Sequence, residues 1–325
     1  MTKFKIAIPE LPIDRSLLPE HIFEECELFE GDKSVRGDND QLMKHIKEVD
    51  AVIFNSSNMI DEDLMKQAPK LKIAFKSGAR PENVDYDYAK AHGVAIGWTP
   101  AANSQSVAEY TILLMLASLK RFVEGNRVFR EGGWRNDCGL GHDLSGRTVG
   151  LVGFGGIGQK VAKMLTAFDV KLMAYDPYTP DEVFEKYEVD RVSFEEILVQ
   201  CDIVSIHCML TDETRNMFNR EAFQKMKEGG ILINSARGGM IDEVALEEAI
   251  QSKKIFGAGL DVYAEEPPAE DHVFRNLANL TGTPHIAART QEASYRECAW
   301  AIEGALDYLK GREPQNVVIV APKNN

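Results

Sequence analysis

The sequence predicts an α/β protein built as two doubly wound parallel-sheet domains, and three observations carry that prediction. Strand-like and helix-like segments alternate over the N-terminal third, one long apolar helix interrupts them, and the alternation then restarts more strongly. A chain of 325 residues also suits two cores better than one, because single cores stop growing near roughly 250–300 residues.

The elements follow in order. Phe4–Ile8 reads as a strand, and residues 41–49 as a helix with Leu42, Ile46 and Val49 on one face. Ala51–Phe54 reads as a buried strand, 63–67 as a helix and 71–75 as a strand. A helix over 85–92 closes at Gly93, and 94–96 is a further strand. Ser106-Val107-Ala108-Glu109 has the form of a capping box, opening one helix that runs to about Phe122. Residues 130–146, rich in glycine and charge, read as a loop or arm. Strands are expected at 149–152, Lys171–Tyr175, 203–207, 231–234, 257–261 and 280–283. Helices lie between them, including Phe194–Gln200 behind a second capping box of Ser193 and Glu196. The last helix spans 291–310, ends at Gly311 and returns to the first domain, where Val317-Val318-Ile319-Val320 needs a sheet or groove to cover it.

Composition narrows the class. Hydrophobic residues make up 44% and charged residues 27%, as in ordinary globular chains. The net charge of −14, with no offsetting basic block, disfavours nucleic acid and anionic membranes as partners. It leaves room for a small anionic substrate held by a few arginines in a cleft. Cys26, Cys138, Cys201, Cys208 and Cys298 have neither CxxC spacing nor an even count, so reduced thiols and a cytoplasmic location are expected, with no metal site. His207-Cys208 lacks a third ligand at workable spacing. The start runs directly into Ile6-Ala7-Ile8 without a signal-peptide pattern, and no apolar stretch is long enough to span a membrane.

The sharpest local motif is Gly153-Phe154-Gly155-Gly156-Ile157-Gly158, lying between an apolar strand and an amphipathic helix. In that context Gly153 permits a tight turn, Gly155 lets the backbone approach a pyrophosphate, and Gly158 lets helix and strand pack closely. The amides at the helix start, Gly156 and Ile157 among them, then face the phosphates. Asp176 ends the next strand, where an acidic side chain accepts from ribose hydroxyls and repels a 2′-phosphate. This predicts a Rossmann unit that binds NAD in preference to NADP. A second cluster sits at later strand ends: Arg237, Glu266 and His285. An arginine can bind a carboxylate and polarise a carbonyl, a histidine can exchange a proton with its oxygen, and a carboxylate can orient the imidazole. Spacing alone does not establish that the three converge.

Ser106 to Glu109, Gly153 to Gly158, Asn234-Ser235-Ala236-Arg237-Gly238, Asp261-Val262-Tyr263-Ala264-Glu265-Glu266-Pro267 and Thr283-Pro284-His285-Ile286 together resemble the D-isomer-specific 2-hydroxyacid dehydrogenase family over nearly the whole chain. The resemblance implies hydride transfer between NAD and C2 of a hydroxy or keto acid, with Arg237, Glu266 and His285 as catalytic residues. It implies a flavodoxin-like, discontinuous substrate domain (1–101 and 287–325), an inserted NAD domain (102–286) and a homodimer. It also places Cys208, Thr214, Ala236 and Asp261 beside the cofactor, and Ser77, Gly78 and Ala79 in a loop whose amides take the substrate carboxylate. The chain departs from the family at Arg80, Trp98, Met209-Leu210 and Arg289. Arg80 and Arg289, in place of small residues, point to an extended polar or sugar-derived acid. Two other readings stay open: a short-form phosphoglycerate dehydrogenase, since the chain ends 40 residues past His285, and an NAD-sensing corepressor-like interaction protein.

Overall fold

A computed structural model describes residues 3–8, 13–31 and 43–320. The chain divides into two compact units, 1–104 with 289–325, and 105–288.

In the first unit β1 (Phe4–Ile8), β2 (Cys26–Glu30), β3 (Ala51–Phe54), β4 (Ile73–Lys76) and β5 (Ala95–Trp98) form a parallel sheet in the order 5-4-3-1-2. β13 (Val318–Val320) closes its edge antiparallel, with Ile319 opposite Gly97. That pairing gives the C-terminal apolar run its sheet; Val317 and Ile319 pack on the core, while Val318 and Val320 stay exposed. β3 reads as an unbroken apolar run because both its faces are buried. Ala51 and Ile53 of β3 face one core, shared with Cys298, Ile302 and Leu306 of α11 (Gln291–Leu309), while Val52 and Phe54 face the other, shared with Leu64 and Met65 of α2 (Glu62–Lys66). A helix α1 (Glu20–Glu25) leads into β2, and α3 (Tyr86–Ala91) is capped by Asp85, which accepts from the Tyr88 amide at 2.9 Å.

In the second unit seven parallel strands take the order β8-β7-β6-β9-β10-β11-β12. They are β6 (Thr148–Val152), β7 (Lys171–Tyr175), β8 (Asp190–Arg191), β9 (Ile203–Ile206), β10 (Gly230–Asn234), β11 (Ile255–Leu260) and β12 (Leu280–Gly282). The chain order reverses between β6 and β9, the switch point at which such sheets bind ligands beyond their carboxyl ends. The helices are α4 (Ser104–Leu119), α5 (Phe122–Arg130), α6 (Gly156–Leu165), α7 (Asp181–Lys186), α8 (Phe194–Gln200), α9 (Arg220–Lys225) and α10 (Glu243–Gln251). Leu114, Met115 and Leu119 of α4 are buried with Val149 and Leu151 of β6, so the long apolar helix belongs to this core. No helix among the described residues is long and apolar enough to cross a membrane.

Three local expectations are corrected. Within 41–49, residues 41 and 42 lie outside the described residues and 44–48 form turns, although Ile46 and Val49 are buried as the pattern required. The long helix begins at Ser104, before the supposed capping box, and Glu109 accepts instead from the Gln105 side chain at 2.8 Å. It also stops at Leu119, because Arg121 adopts a left-handed backbone (φ 52°) and a separate helix, α5, follows. The Ser193–Glu196 box forms in both directions, at 3.2 and 2.8 Å.

Candidate active site

The glycine turn between β6 and α6 is shaped by three different constraints. Gly153 has φ +98°, and a Cβ there would lie 2.4 Å from the Cys208 nitrogen, so only glycine lets the turn pass beneath the end of β9. A Cβ at Gly158 would lie 2.5 Å from the Gly153 carbonyl oxygen, which fixes how closely the helix packs. Gly155 has nothing within 4 Å of such a Cβ and is exposed together with Gly156. A crowded underside and an open upper face at a helix N-terminus suit a dinucleotide pyrophosphate.

Asp176 is half-buried at the end of β7 and holds the turn itself. One carboxylate oxygen accepts from the Phe154 amide at 2.8 Å, and the other accepts from the Tyr178 and Thr179 amides at 2.9 and 3.2 Å. The carboxylate is thus fixed beside the glycine turn. Burial pushes the Cys208 thiol up to about 11, so the side chain near Gly153 is a neutral thiol. Thr214, half-buried, donates to the Met209 carbonyl at 2.7 Å and shapes the loop beyond β9.

At the end of β10 the fully buried Asn234 folds the next turn. Its side chain accepts from the Ala236 amide at 2.9 Å and donates to the Arg237 carbonyl at 2.9 Å. Gly238 follows, and a Cβ there would sit 1.9 Å from the Tyr263 carbonyl carbon. The Arg237 turn therefore lies directly against the loop that carries Glu266.

Glu266 and His285 meet: Oε2 lies 2.6 Å from Nδ1, and Oε1 accepts from the Tyr263 amide at 3.0 Å. Their side chains are 35% and 50% exposed, so the pair is reachable from solvent within this unit. The Glu266 hydrogen bond raises the His285 pKa above its ordinary value; burial opposes it, Asp261 adds to it, and Arg237 opposes it. Burial pushes the Glu266 carboxyl up, but the bonds from His285 and Tyr263 outweigh this and hold it below its ordinary value, with Arg237 adding to the effect. Arg237 is thus near enough to act on both. A cavity of about 700 Å³ opens beside the pair, lined by Tyr263, Pro267, His272, Phe274 and Arg275 among others.

Asp261, placed beside the cofactor by resemblance, has a second task that the sequence did not disclose. Its buried carboxylate accepts from the Thr283 hydroxyl at 2.6 Å and from the Ile286 and Ala287 amides at 2.9 and 2.7 Å. The Asp261 carbonyl also takes the His285 amide at 2.9 Å. These bonds hold His285 in a left-handed backbone, φ 53°. Nothing in the spacing of Asp261 signalled this, because the contacts run between two separate strand ends.

The remaining candidates belong to the first unit. The Ser77 amide donates to the Phe54 carbonyl at 3.0 Å and the Gly78 amide to the Thr99 hydroxyl at 2.8 Å, so those two amides are already engaged. Ala79 and Arg80 are exposed, and the Arg80 guanidinium lies 5.6 Å from the centre of the Tyr86 ring. Arg289, the first residue of the C-terminal segment of this unit, is exposed. Beneath Gly78 sits Glu297, which accepts from Asn103 at 2.8 Å; burial raises its pKa.

Comparison with known proteins adds the following. The sequence model described as D-isomer specific 2-hydroxyacid dehydrogenase, NAD binding domain, matches residues 112–287. The hydroxypyruvate reductase of Thermotoga maritima is 40% identical over 261 residues, covering 80% of this chain and 84% of that protein. The D-3-phosphoglycerate dehydrogenase of Archaeoglobus fulgidus is 35% identical over 279 residues, 86% of this chain; the chain spans only about half (53%) of that protein's length. The crystal structure of the TT0316 protein from Thermus thermophilus superposes with a TM-score of 0.86 at 34% identity, covering 97% of this chain and 100% of that one.

Proposed function

The chain belongs to the D-isomer specific 2-hydroxyacid dehydrogenase family, and on that premise we propose that it is an NAD-dependent oxidoreductase acting at C2 of a 2-hydroxy or 2-keto acid. Bound NADH would supply the hydride to the carbonyl carbon. The observation that carries the reading is the His285–Glu266 pair at 2.6 Å, with Arg237 close enough to influence both.

In this reading Arg237 binds the substrate carboxylate and polarises the carbonyl. Glu266 occupies Nδ1, which leaves Nε2 of His285 to give its proton to the carbonyl oxygen. In the oxidative direction Nε2 takes the hydroxyl proton. The raised pKa keeps the imidazolium available toward neutral pH, so reduction is favoured at lower pH and is lost as pH rises through that pKa; oxidation behaves oppositely. In the first unit, the Ala79 and Arg80 amides make no backbone–backbone hydrogen bond among the described residues, which suits them to a substrate anion.

Gly153, Gly155, Gly156, Ile157, Gly158 and Asp176 would hold the dinucleotide, and Asp176 would select against a 2′-phosphate. Substrate choice falls to Arg80 and Arg289, which suit an extended polar acid; hydroxypyruvate and a phosphorylated keto acid are the two candidates that the relatives suggest. A homodimer is supported by the exposed apolar side chains Phe122, Val123, Phe129, Trp134 and Leu140 along one stretch of the second unit, and light scattering on the purified protein tests it. The reduced, mostly buried thiols fit work in the cytoplasm.

The test is NADH-dependent reduction of glyoxylate, hydroxypyruvate, pyruvate, a branched keto acid and phosphohydroxypyruvate. Turnover of at least one is expected. Tight NADH binding with no turnover of any would favour a sensing role instead.

A further inference from the structure

We propose that Glu243 and His272 are positioning residues that hold the Glu266 loop in register with His285; the proposal rests on the Glu266–His285 reading above. A second histidine–carboxylate pair stands behind the first. Glu243 is the opening residue of α10, just after the cap Asp242, and its two oxygens face different partners. Oε1 accepts from the Ala264 amide at 3.0 Å, and Oε2 lies 3.1 Å from Nε2 of His272. Nδ1 of His272 accepts from the Phe274 amide at 3.4 Å, which places the ring proton on Nε2, donating to Glu243. The Tyr263 and Phe274 rings flank the imidazole edge-on, with centroids 6.3 and 4.9 Å away.

The consequence for Glu266 comes from consecutive amides. The amide of Tyr263 donates to Glu266, and the next amide, Ala264, donates to Glu243. The same stretch of backbone is pressed from another direction by Gly238, where a Cβ would lie 1.9 Å from the Tyr263 carbonyl carbon. Glu243 and Gly238 therefore grip the Tyr263–Ala264 peptide, which adjoins the Val262–Tyr263 peptide whose N–H is aimed at Glu266. His272 extends the grip around the loop, whose far side Arg275 closes through the Pro268 and Ala269 carbonyls at 2.8 Å each. The Glu243 and His272 side chains are only 20% exposed, so water competes weakly for these bonds. Releasing the grip frees Glu266 to leave His285. The charged groups acting on His285 would then be Asp261 and Arg237, with Glu266 no longer fixed.

The test is the pH profile of kcat/KM for NADH-dependent reduction of hydroxypyruvate, or of the best keto acid from the panel above, by the full-length protein. Its alkaline limb reads the loss of protonated His285. Glu243→Ala and His272→Ala should move that limb toward acid by about half a pH unit or more, with NADH affinity unchanged. Glu243→Gln keeps an acceptor for the Ala264 amide and should move it less. If Glu243→Ala does not fold, His272→Gln, whose amide can still donate to Glu243, and His272→Ala carry the comparison. A lower kcat or Tm with the wild-type limb in both Glu243→Ala and His272→Ala would show a merely structural role and overturn the proposal. Glu266→Gln separates the two levels. An unmoved limb in that variant sinks the underlying assignment, whereas a moved limb there with none in the Glu243 and His272 variants sinks only this inference.

Discussion

Asp261→Asn should be far more damaging than a change of one atom suggests. The Asp261 side chain is 0% exposed, and three donors converge on its two oxygens at 2.6–2.9 Å. An asparagine offers one oxygen and one NH2. Whichever way the amide turns, the NH2 faces the Ile286 or the Ala287 amide, donor against donor. One buried backbone N–H then loses its acceptor, which costs about 1–3 kcal/mol, and the surviving bonds lose their charge assistance, about 1 kcal/mol each. The expected destabilisation is about 3–5 kcal/mol. Activity should fall further than stability, because the same bonds hold His285 at φ 53°, a backbone state that costs roughly 1–3 kcal/mol and persists only while its surroundings impose it. Calorimetry should show a Tm lower by about 6 °C or more, and NADH-dependent reduction at a temperature where the variant is folded should lose about 100-fold in kcat/KM. A variant within 0.5 kcal/mol of the parent with unchanged kcat/KM would refute the reasoning.

Gly153→Ala meets both a left-handed backbone and a contact of 2.4 Å to main chain, so it should weaken NADH binding at least about tenfold, or fail to fold; fluorescence titration of NADH decides it, and parental affinity would contradict the turn geometry. NADH should exceed NADPH in kcat/KM by about 100-fold if the carboxylate that three amides fix beside the glycine turn meets the ribose, and equal use of NADPH would remove Asp176 from that proposed role. Arg80→Ala and Arg289→Ala should each be compared with the parent for the kcat/KM ratio of an extended polar keto acid to pyruvate. At least one should lower it by about tenfold or more, and an unchanged ratio in both makes the arginines structural.

The sequence disclosed what is periodic or stereochemically forced. The strand at Ala51–Phe54 is an uninterrupted apolar run, Lys171–Tyr175 is apolar after its first residue, and the Ser193 box encodes its own partner three residues on. The glycine turn was legible because each glycine answers a separate steric demand. Elements that depend on distant partners were missed. β2 exists because residues 26–30 pair with β1, and its mixed sequence, Cys-Glu-Leu-Phe-Glu, gives no strong period. The start of α4 and its stop at Leu119 were misread because an apolar helix continues its pattern past the point where Arg121 turns left-handed. In the site, Arg237, Glu266 and His285 could be named from strand ends and resemblance. Glu243, His272 and the second task of Asp261 could not, because each acts through a backbone amide, and amides carry no sequence signal.

The most direct test of the central claim is His285→Ala, assayed for NADH-dependent reduction of the best keto acid and, separately, for NADH binding. The account predicts a fall in kcat of about 100- to 10,000-fold, the range that positioned proton transfer supplies, with NADH affinity nearly unchanged. A variant that keeps most of its kcat would assign the proton to another group and contradict the account.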